Sequence, residues 1–298
     1  MRSSTIITAI ILLASAGLLF GIFSVPFFIP KWILWILFGI SFAVILNTLL
    51  GKPIPFLRWS FLRLMFGIKT LEKNWQVGDG REQKVADTVL KKARKGDAAD
   101  VTRVIDNFGY NDALLINVGD RKGGILDAAL ARAQPRKVLE LGTYVGYSAI
   151  RMAQKLPPDA HLYSVEFSAA NASIARRIID HAGLSDRITV VVGTLGDGGK
   201  TADALEREHA FTKGSLDFVF IDHAKDAYLP DLNLILDRAW LHKGSVVVAD
   251  NIKFPGAPDY HTYMKDQEGK HWKSSEHKSF VEYQSMIPDL VLESEYLG

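Results

Sequence analysis

Four acids and an amide stand where apolar runs stop, and those oxygens are the residues that could do chemistry. The run Val138–Leu141 carries Glu140 and breaks into a loop holding Gly142 and Gly146. The next run, His161–Phe167, places Glu166 at its end, 20 residues after Gly146. A nucleotide-type fold holds the ribose hydroxyls of its ligand at about that spacing. Leu216–Ile221 ends in Asp222, and Ser245–Ala249 ends in Asp250 and Asn251. Ligands of open α/β sheets bind at the carboxyl ends of strands, so these groups are expected on one rim.

The Gly142–Gly146 loop lacks the G-x-G-x-x-G spacing that seats a pyrophosphate. Glu140 would also crowd a phosphate with like charge. A ligand with a cation and a ribose suits both acids, and S-adenosylmethionine has both. The plainer alternative is a tight strand–helix turn with solvated acids. Asp222, Asp250 and Asn251 are hard oxygen ligands suited to Mg²⁺ or Mn²⁺. No His or Cys is placed with them, which argues against zinc. Lys225 follows Asp222 by three residues, so a helical turn returns its ammonium to the same face. A lysine beside a divalent cation can serve as a base. Taken singly, Asp222 could cap the next turn and Asp-Asn could be an ordinary turn pair.

Alternating elements must position these groups. The pattern predicts helices over 81–94, 98–108 (closed by Gly109) and 124–133, the last preceded by the loop Ile116–Gly123. There follow strand 137–141, helix 147–156, strand 161–166, helix 169–182, strand 187–192 and helix 200–209. Strand 216–221, helix 229–240 and strand 245–249 complete the series. The tail from Lys278 to Leu297 holds a short helix and a last strand, Leu290–Glu295. Strand and helix taking turns predict a parallel sheet with helices on both faces. His271 and His277 fall in a lysine-rich loop with no third ligand and read as solvated.

The amino-terminal fifth differs. Residues 3–30 and 32–51 carry no charge, and only Lys31 interrupts them. Two membrane helices, roughly 5–25 and 32–50, are expected, with Pro26 and Pro30 in the turn. A cleaved signal peptide is the alternative for the first run. Lys and Arg flank both ends of the hairpin, placing both ends and the following domain on the cytoplasmic side. Residues 54–68 mix aromatics with Arg58 and Arg63 and are expected along the headgroups. Trp32, Trp35 and Trp59 read as interface anchors. The domains are therefore expected as a two-helix anchor over 1–52, an interfacial helix and linker over 53–77, and a catalytic domain over 78–298. The net charge of +2 reflects that flank: past residue 70, 29 basic side chains face 33 acidic ones. No nucleic-acid footprint is present. With no cysteine, disulfides, thiolate metal sites and a cysteine nucleophile are excluded.

Four segments carry a resemblance: Ile116–Gly123, Leu139–Ser148, Leu216–Pro230 with its Asp-His-Ala-Lys-Asp, and Lys243–Tyr260 with its Ala-Asp-Asn-Ile-Lys-Phe-Pro-Gly-Ala-Pro-Asp. Together they resemble catechol O-methyltransferase, over about Gly78 to Tyr283. The resemblance implies a Rossmann-like, seven-stranded methyltransferase sheet with its last strand antiparallel. It implies Mg²⁺ on Asp222, Asp250 and Asn251, with Lys225 as catalytic base. It implies S-adenosylmethionine framed by Val118, Gly142, Tyr144 and Ser148, with Glu140 nearby, Glu166 on the ribose and His223 against the adenine beside Asp222. The phenolic substrate is expected at Asn251, Glu282 and Pro255, with Glu282 accepting from its second hydroxyl. The chain departs from that family at Leu195 and Gly196, where a serine–glutamine pair is usual. It departs again at Leu114 and Ala224, where tryptophans are usual. A wider mouth and a bulkier or lipophilic phenol are therefore expected. The rival readings are a nicotinamide-dependent oxidoreductase and a membrane-tethered relative of the fold with another acceptor or no turnover.

Overall fold

The structure is a computed structural model that describes residues 30–50, 58–66 and 76–298. The chain divides into two units, Met1–Phe66 and Gly67–Gly298. In the first, α1 (Lys31–Leu50) is a 20-residue helix whose one charge is its first residue. Trp32, Trp35, Ile36, Ile40 and Phe42 are exposed along it. Among the described residues no helix is long and apolar enough to cross a membrane. The expected first span, 5–25, lies outside the described residues. The short α2 (Trp59–Phe66) is amphipathic, with Phe61 buried and Met65 and Phe66 exposed.

The second unit opens with α3 (Arg81–Lys92), α4 (Ala98–Asn111) and α5 (Gly119–Ala133). Asp97 caps α4 by accepting from the Asp100 amide at 2.9 Å, a contact worth about 1 kcal/mol. Then come β1 (Lys137–Leu141), α6 (Tyr147–Ala153), β2 (His161–Glu166), α7 (Ala169–His181), β3 (Ile188–Val192), α8 (Lys200–His209) and β4 (Leu216–Ile221). The chain closes with α9 (Tyr228–Asp237), β5 (Leu241–Ala249), α10 (Pro258–Asp266), β6 (Trp272–Phe280) and β7 (Pro288–Tyr296).

The sheet runs β3-β2-β1-β4-β5-β7-β6. The first five strands are parallel, and β7 inserts antiparallel between β5 and β6. Strand order reverses between β1 and β4, and open sheets of this kind take ligands at such a switch point. The central strands are apolar because both faces are covered: Leu139, Leu141, Val219, Ile221, Val247 and Ala249 join one buried cluster with Tyr228, Trp240 and Trp272.

Besides α10, which the sequence pattern does not mark, the elements depart from the sequence expectations in three places. First, α5 starts at Gly119 rather than 124, so most of the expected Ile116–Gly123 loop is helical. Gly123 and Gly124 lower helix propensity and mask the start. Gly123 is tolerated because a Cβ there would lie 2.6 Å from the Arg151 guanidinium. Second, α4 runs through Gly109 to Asn111. Third, the expected lysine-rich loop and short tail helix are β6 and a turn. On β6 only Trp272 is buried, and such a polar edge strand shows no two-period signal. His277 lies on β6 and contacts Glu293 at 2.9 Å; His271 contacts the Gly298 carbonyl.

Candidate active site

Parallel register brings the strand ends level. Leu141 pairs with Val165 and with Ile221, and Ile221 pairs with Ala249. The ladder continues one bond further: Gly142 donates to the Val165 carbonyl, Asp222 to Leu141 and Asp250 to Ile221, at 2.9–3.0 Å. Gly142, Asp222 and Asp250 therefore stand side by side on one rim. A left-handed φ of 104° and a would-be Cβ 2.4 Å from the Asp222 carbonyl oxygen demand glycine at Gly142.

On one side of the rim, Glu140 is fully buried, accepts from the Ser164 hydroxyl through Oε2, and has no aligned hydrogen bond at Oε1 among the described residues. Burial pushes its carboxyl up to about 8, against the pull of the Ser148 and Ser164 hydroxyls. Glu166 accepts backbone N–H groups from Tyr144 at 2.7 Å and Ser168 at 2.9 Å. It thus ties the β1–α6 loop to the start of α7, and burial raises its pKa. Tyr144 has a positive φ of 49° and its hydroxyl donates to Glu82 at 3.1 Å. Val118 is buried at the start of α5, next to Gly119, whose φ of 65° favours glycine and which packs beside Glu282. Ser148 is buried in the first turn of α6.

The other side holds the basic and acidic groups. Lys225 Nζ is 3.0 Å from Asp222 Oδ1 and donates to the Tyr228 hydroxyl at 2.6 Å. That hydroxyl donates to the Asp250 carbonyl at 3.1 Å, so Tyr228 spans the two strand ends. Asn251, left-handed at φ 55°, donates Nδ2 to Glu282 at 3.2 Å and to Asp289 at 2.9 Å. Among the described residues no hydrogen bond engages its Oδ1. Asp289 also accepts from the amides of Lys253 and Phe254, shaping the turn Ile252–Gly256 that carries exposed Pro255. His223 contacts Asp231 at 2.8 Å and stacks on Tyr228 with ring centroids 5.2 Å apart, leaving Nδ1 buried and unpartnered.

Sequence reasoning missed Lys122 and Asp289. Lys122, 1% exposed, reaches Asp289 Oδ2 at 2.9 Å, Asp250 Oδ2 at 2.8 Å and Glu282 Oε1. Burial pulls its pKa down, but the three carboxylates more than offset that, and it stays protonated. Four carboxylates (Asp222, Asp250, Glu282, Asp289) thus face two ammonium groups, a formal −2. Burial raises the pKa of Asp222 and pushes Asp250 up to about 8. Asp250 Oδ2 is buried without an aligned hydrogen bond. A carboxylate oxygen without an aligned hydrogen bond, an amide oxygen that no hydrogen bond among the described residues engages, and four carboxyl groups against two amines fit a divalent cation, with Asp222, Asp250 and Asn251 to hold it. The described residues contain no group of three His, Cys, Asp or Glu side chains able to hold a metal ion; this set has two carboxylates and an amide.

The departures also find their places. Leu195 is buried in the apolar cluster, and Gly196 follows it. Leu114 is buried, and its carbonyl accepts from the buried Arg81 guanidinium, which Asp79 holds in two contacts of 2.9 Å. Behind Glu282, Tyr283 (φ 55°) puts its ring against Gly109 and donates to Asp106 at 3.3 Å. Burial pushes Asp106 up to about 6 from 3.8. Since the folded value is raised, the stability it contributes is present below pH 4 and lost as pH rises through about 6. Asp106→Asn is expected to stabilise the protein by about 1–2 kcal/mol at pH 8 and by nothing at pH 4. Paired thermal melts at the two pH values check this.

Fold and rim define a Rossmann-like methyltransferase with a seven-stranded mixed sheet. The O-methyltransferase family profile matches residues 107–274. A probable O-methyltransferase of Mycobacterium tuberculosis is 58% identical over 232 residues, covering 78% of this chain and 99% of its own. Catechol O-methyltransferase of Bos taurus is 38% identical over 218 residues, covering 73% of this chain and 78% of its own. Among solved structures, an O-methyltransferase from Bacillus cereus in complex with SAH has a TM-score of 0.53 at 21% identity, covering 73% of this chain and 97% of that one. The chain belongs to the O-methyltransferase family and has the fold of the S-adenosylmethionine-dependent members.

Proposed function

We propose that the chain transfers a methyl group from S-adenosylmethionine to one hydroxyl of a vicinal diphenol, with Mg²⁺ held by Asp222, Asp250 and Asn251. The observation that carries this reading is the Lys225 side-chain nitrogen, 3.0 Å from Asp222 and linked through Tyr228 to Asp250. A base is thereby fixed beside two candidate metal ligands. The cation, when bound, would supply positive charge that favours the ionised form of the reacting hydroxyl. S-adenosylmethionine supplies a methyl group on a positively charged sulfur. Lys225 in its neutral amine form, which a neighbouring divalent cation favours, takes the proton of the reacting hydroxyl and becomes the ammonium, and that oxygen attacks the methyl carbon as the carbon–sulfur bond breaks. Glu282 accepts from the second hydroxyl, and Pro255 walls the ring. Val118, Gly142, Tyr144 and Ser148 frame the methionine end, Glu166 holds the ribose and His223 lies against the adenine. These residues position the reactants and stabilise charge.

Glu140 gives the cofactor reading its own check. A cation beside it favours the carboxylate, so S-adenosylmethionine binding at pH 7 is expected to release up to one proton. Affinity should then rise with pH towards about 8. Calorimetry in buffers of differing ionisation enthalpy measures the release, and Glu140→Gln should abolish it. Unchanged proton release in that variant would remove Glu140 from the cofactor site.

The reaction itself is tested by methyl transfer to a panel of diphenols, with Mg²⁺ and with excess chelator. Metal-dependent methylation supports the reading; cofactor binding without transfer to any diphenol points to another acceptor. With Leu114 and Ala224 where the wall is usually aromatic, the acceptor is proposed to be bulky or lipophilic, and best turnover of small soluble catechols would count against that. We also propose that residues 1–52 anchor the chain by two membrane helices, residues 53–77 lie at the interface, and the catalytic domain faces the cytoplasm. The charge-free runs and the exposed Trp32 and Trp35 support this. Release of the full chain from membranes by alkaline carbonate would overturn the anchor.

A further inference from the structure

We infer that Lys122 is a positioning residue, an internal cation that holds Glu282 and Asp289 against the β5 rim while limiting the affinity of that rim for a divalent metal. The inference rests on the metal and diphenol reading above and goes beyond it. Lys122 sits in the first turns of α5, 1% exposed, and touches carboxylates from three separate segments. Two of its contacts, to Glu282 and Asp289, are aligned hydrogen bonds. The third, to Asp250 Oδ2 at 2.8 Å, is an ion pair without an aligned hydrogen bond. The ammonium therefore shares its charge with a candidate metal ligand but spends its directional bonds on the substrate side. Asn251 repeats the arrangement: its Nδ2 donates to the same Glu282 and Asp289 oxygens.

Two consequences of opposite sign follow. Without the ammonium, Glu282 loses an anchor and two or more carboxylates are left to repel one another. The diphenol contact then loosens. Removing a positive charge 2.8 Å from Asp250 also leaves that carboxylate more attractive to a divalent cation. A side chain that merely props up the fold would weaken both interactions together.

The experiment uses full-length protein, with Mn²⁺ as the metal probe followed by electron paramagnetic resonance. Diphenol kinetics and S-adenosylmethionine calorimetry run in parallel. Lys122→Met is expected to tighten Mn²⁺ at least threefold and raise the diphenol KM at least tenfold, with kcat changed less than KM and cofactor affinity within twofold. Lys122→Arg keeps the charge but not the point geometry, so Mn²⁺ affinity should stay within twofold while KM rises. It carries the test if Lys122→Met does not fold. Weaker Mn²⁺ binding in Lys122→Met, or an unchanged KM in Lys122→Arg, overturns the inference alone. Wild-type protein that binds no Mn²⁺ overturns the metal reading and the inference with it.

Discussion

Lys225→Met is expected to lower kcat by about 10²–10⁴-fold, the range over which a positioned acid or base contributes to rate. The methionine keeps most of the side-chain volume but loses the nitrogen that sits 3.0 Å from Asp222 and 2.6 Å from the Tyr228 hydroxyl. Because Lys225 is on the Asp222–Asp250 side of the rim and Glu140 and Glu166 are on the other, cofactor affinity should hold within a few fold. Single-turnover methyl transfer beside cofactor calorimetry separates the two effects. A variant that retains wild-type turnover would remove Lys225 from proton transfer. Loss of cofactor binding in parallel would mean that the Asp222–Lys225 pair shapes the loop rather than the chemistry.

Gly142→Ala is expected to be strongly damaging, because the added methyl group meets backbone. A left-handed φ of 104° strains any residue with a Cβ, by roughly 1–2 kcal/mol. The added carbon would also sit 2.4 Å from the Asp222 carbonyl oxygen. That oxygen is backbone and cannot swing aside, so β1 and β4 must separate at their ends. A loss of roughly 3 kcal/mol or more is expected, together with loss of cofactor affinity of tenfold or more. In a domain of this size that is a fall in Tm of about 6–12 °C. Gly256→Ala is the comparison: φ is 109°, but nothing lies within 4 Å of the added carbon. It carries strain without collision, and its Tm should fall far less. Equal losses in the two variants would show that strain alone acts at Gly142.

Much of this molecule is legible along the chain because the relevant signals are local. An apolar five- or six-residue run ending in an acid marks a buried parallel strand, and β1, β2, β4 and β5 all follow that pattern within a few residues. Parallel strands share a direction, so their carboxyl ends meet on one rim whatever the details of packing. That is why Glu140, Glu166, Asp222, Asp250 and Asn251 could be placed together before any contact was known. Lys225 needed only a three-residue offset. The edge strand β6 was not legible, since its residues alternate between solvent and solvent and bury one tryptophan.

Tertiary structure alone decided the charge balance of the site. Lys122 lies 160 residues from Glu282 and 167 from Asp289, and no local spacing links an amphipathic helix to the turn after an edge strand. It decided as well that the expected antiparallel last strand, β7, inserts between β5 and β6, bringing Asp289 beside Asn251. Periodicity and strand-end chemistry are properties of neighbours in the chain, and the sequence by itself determined them. Which distant ammonium neutralises which buried carboxylate depends on the helix docked behind the sheet, and only the folded molecule sets that.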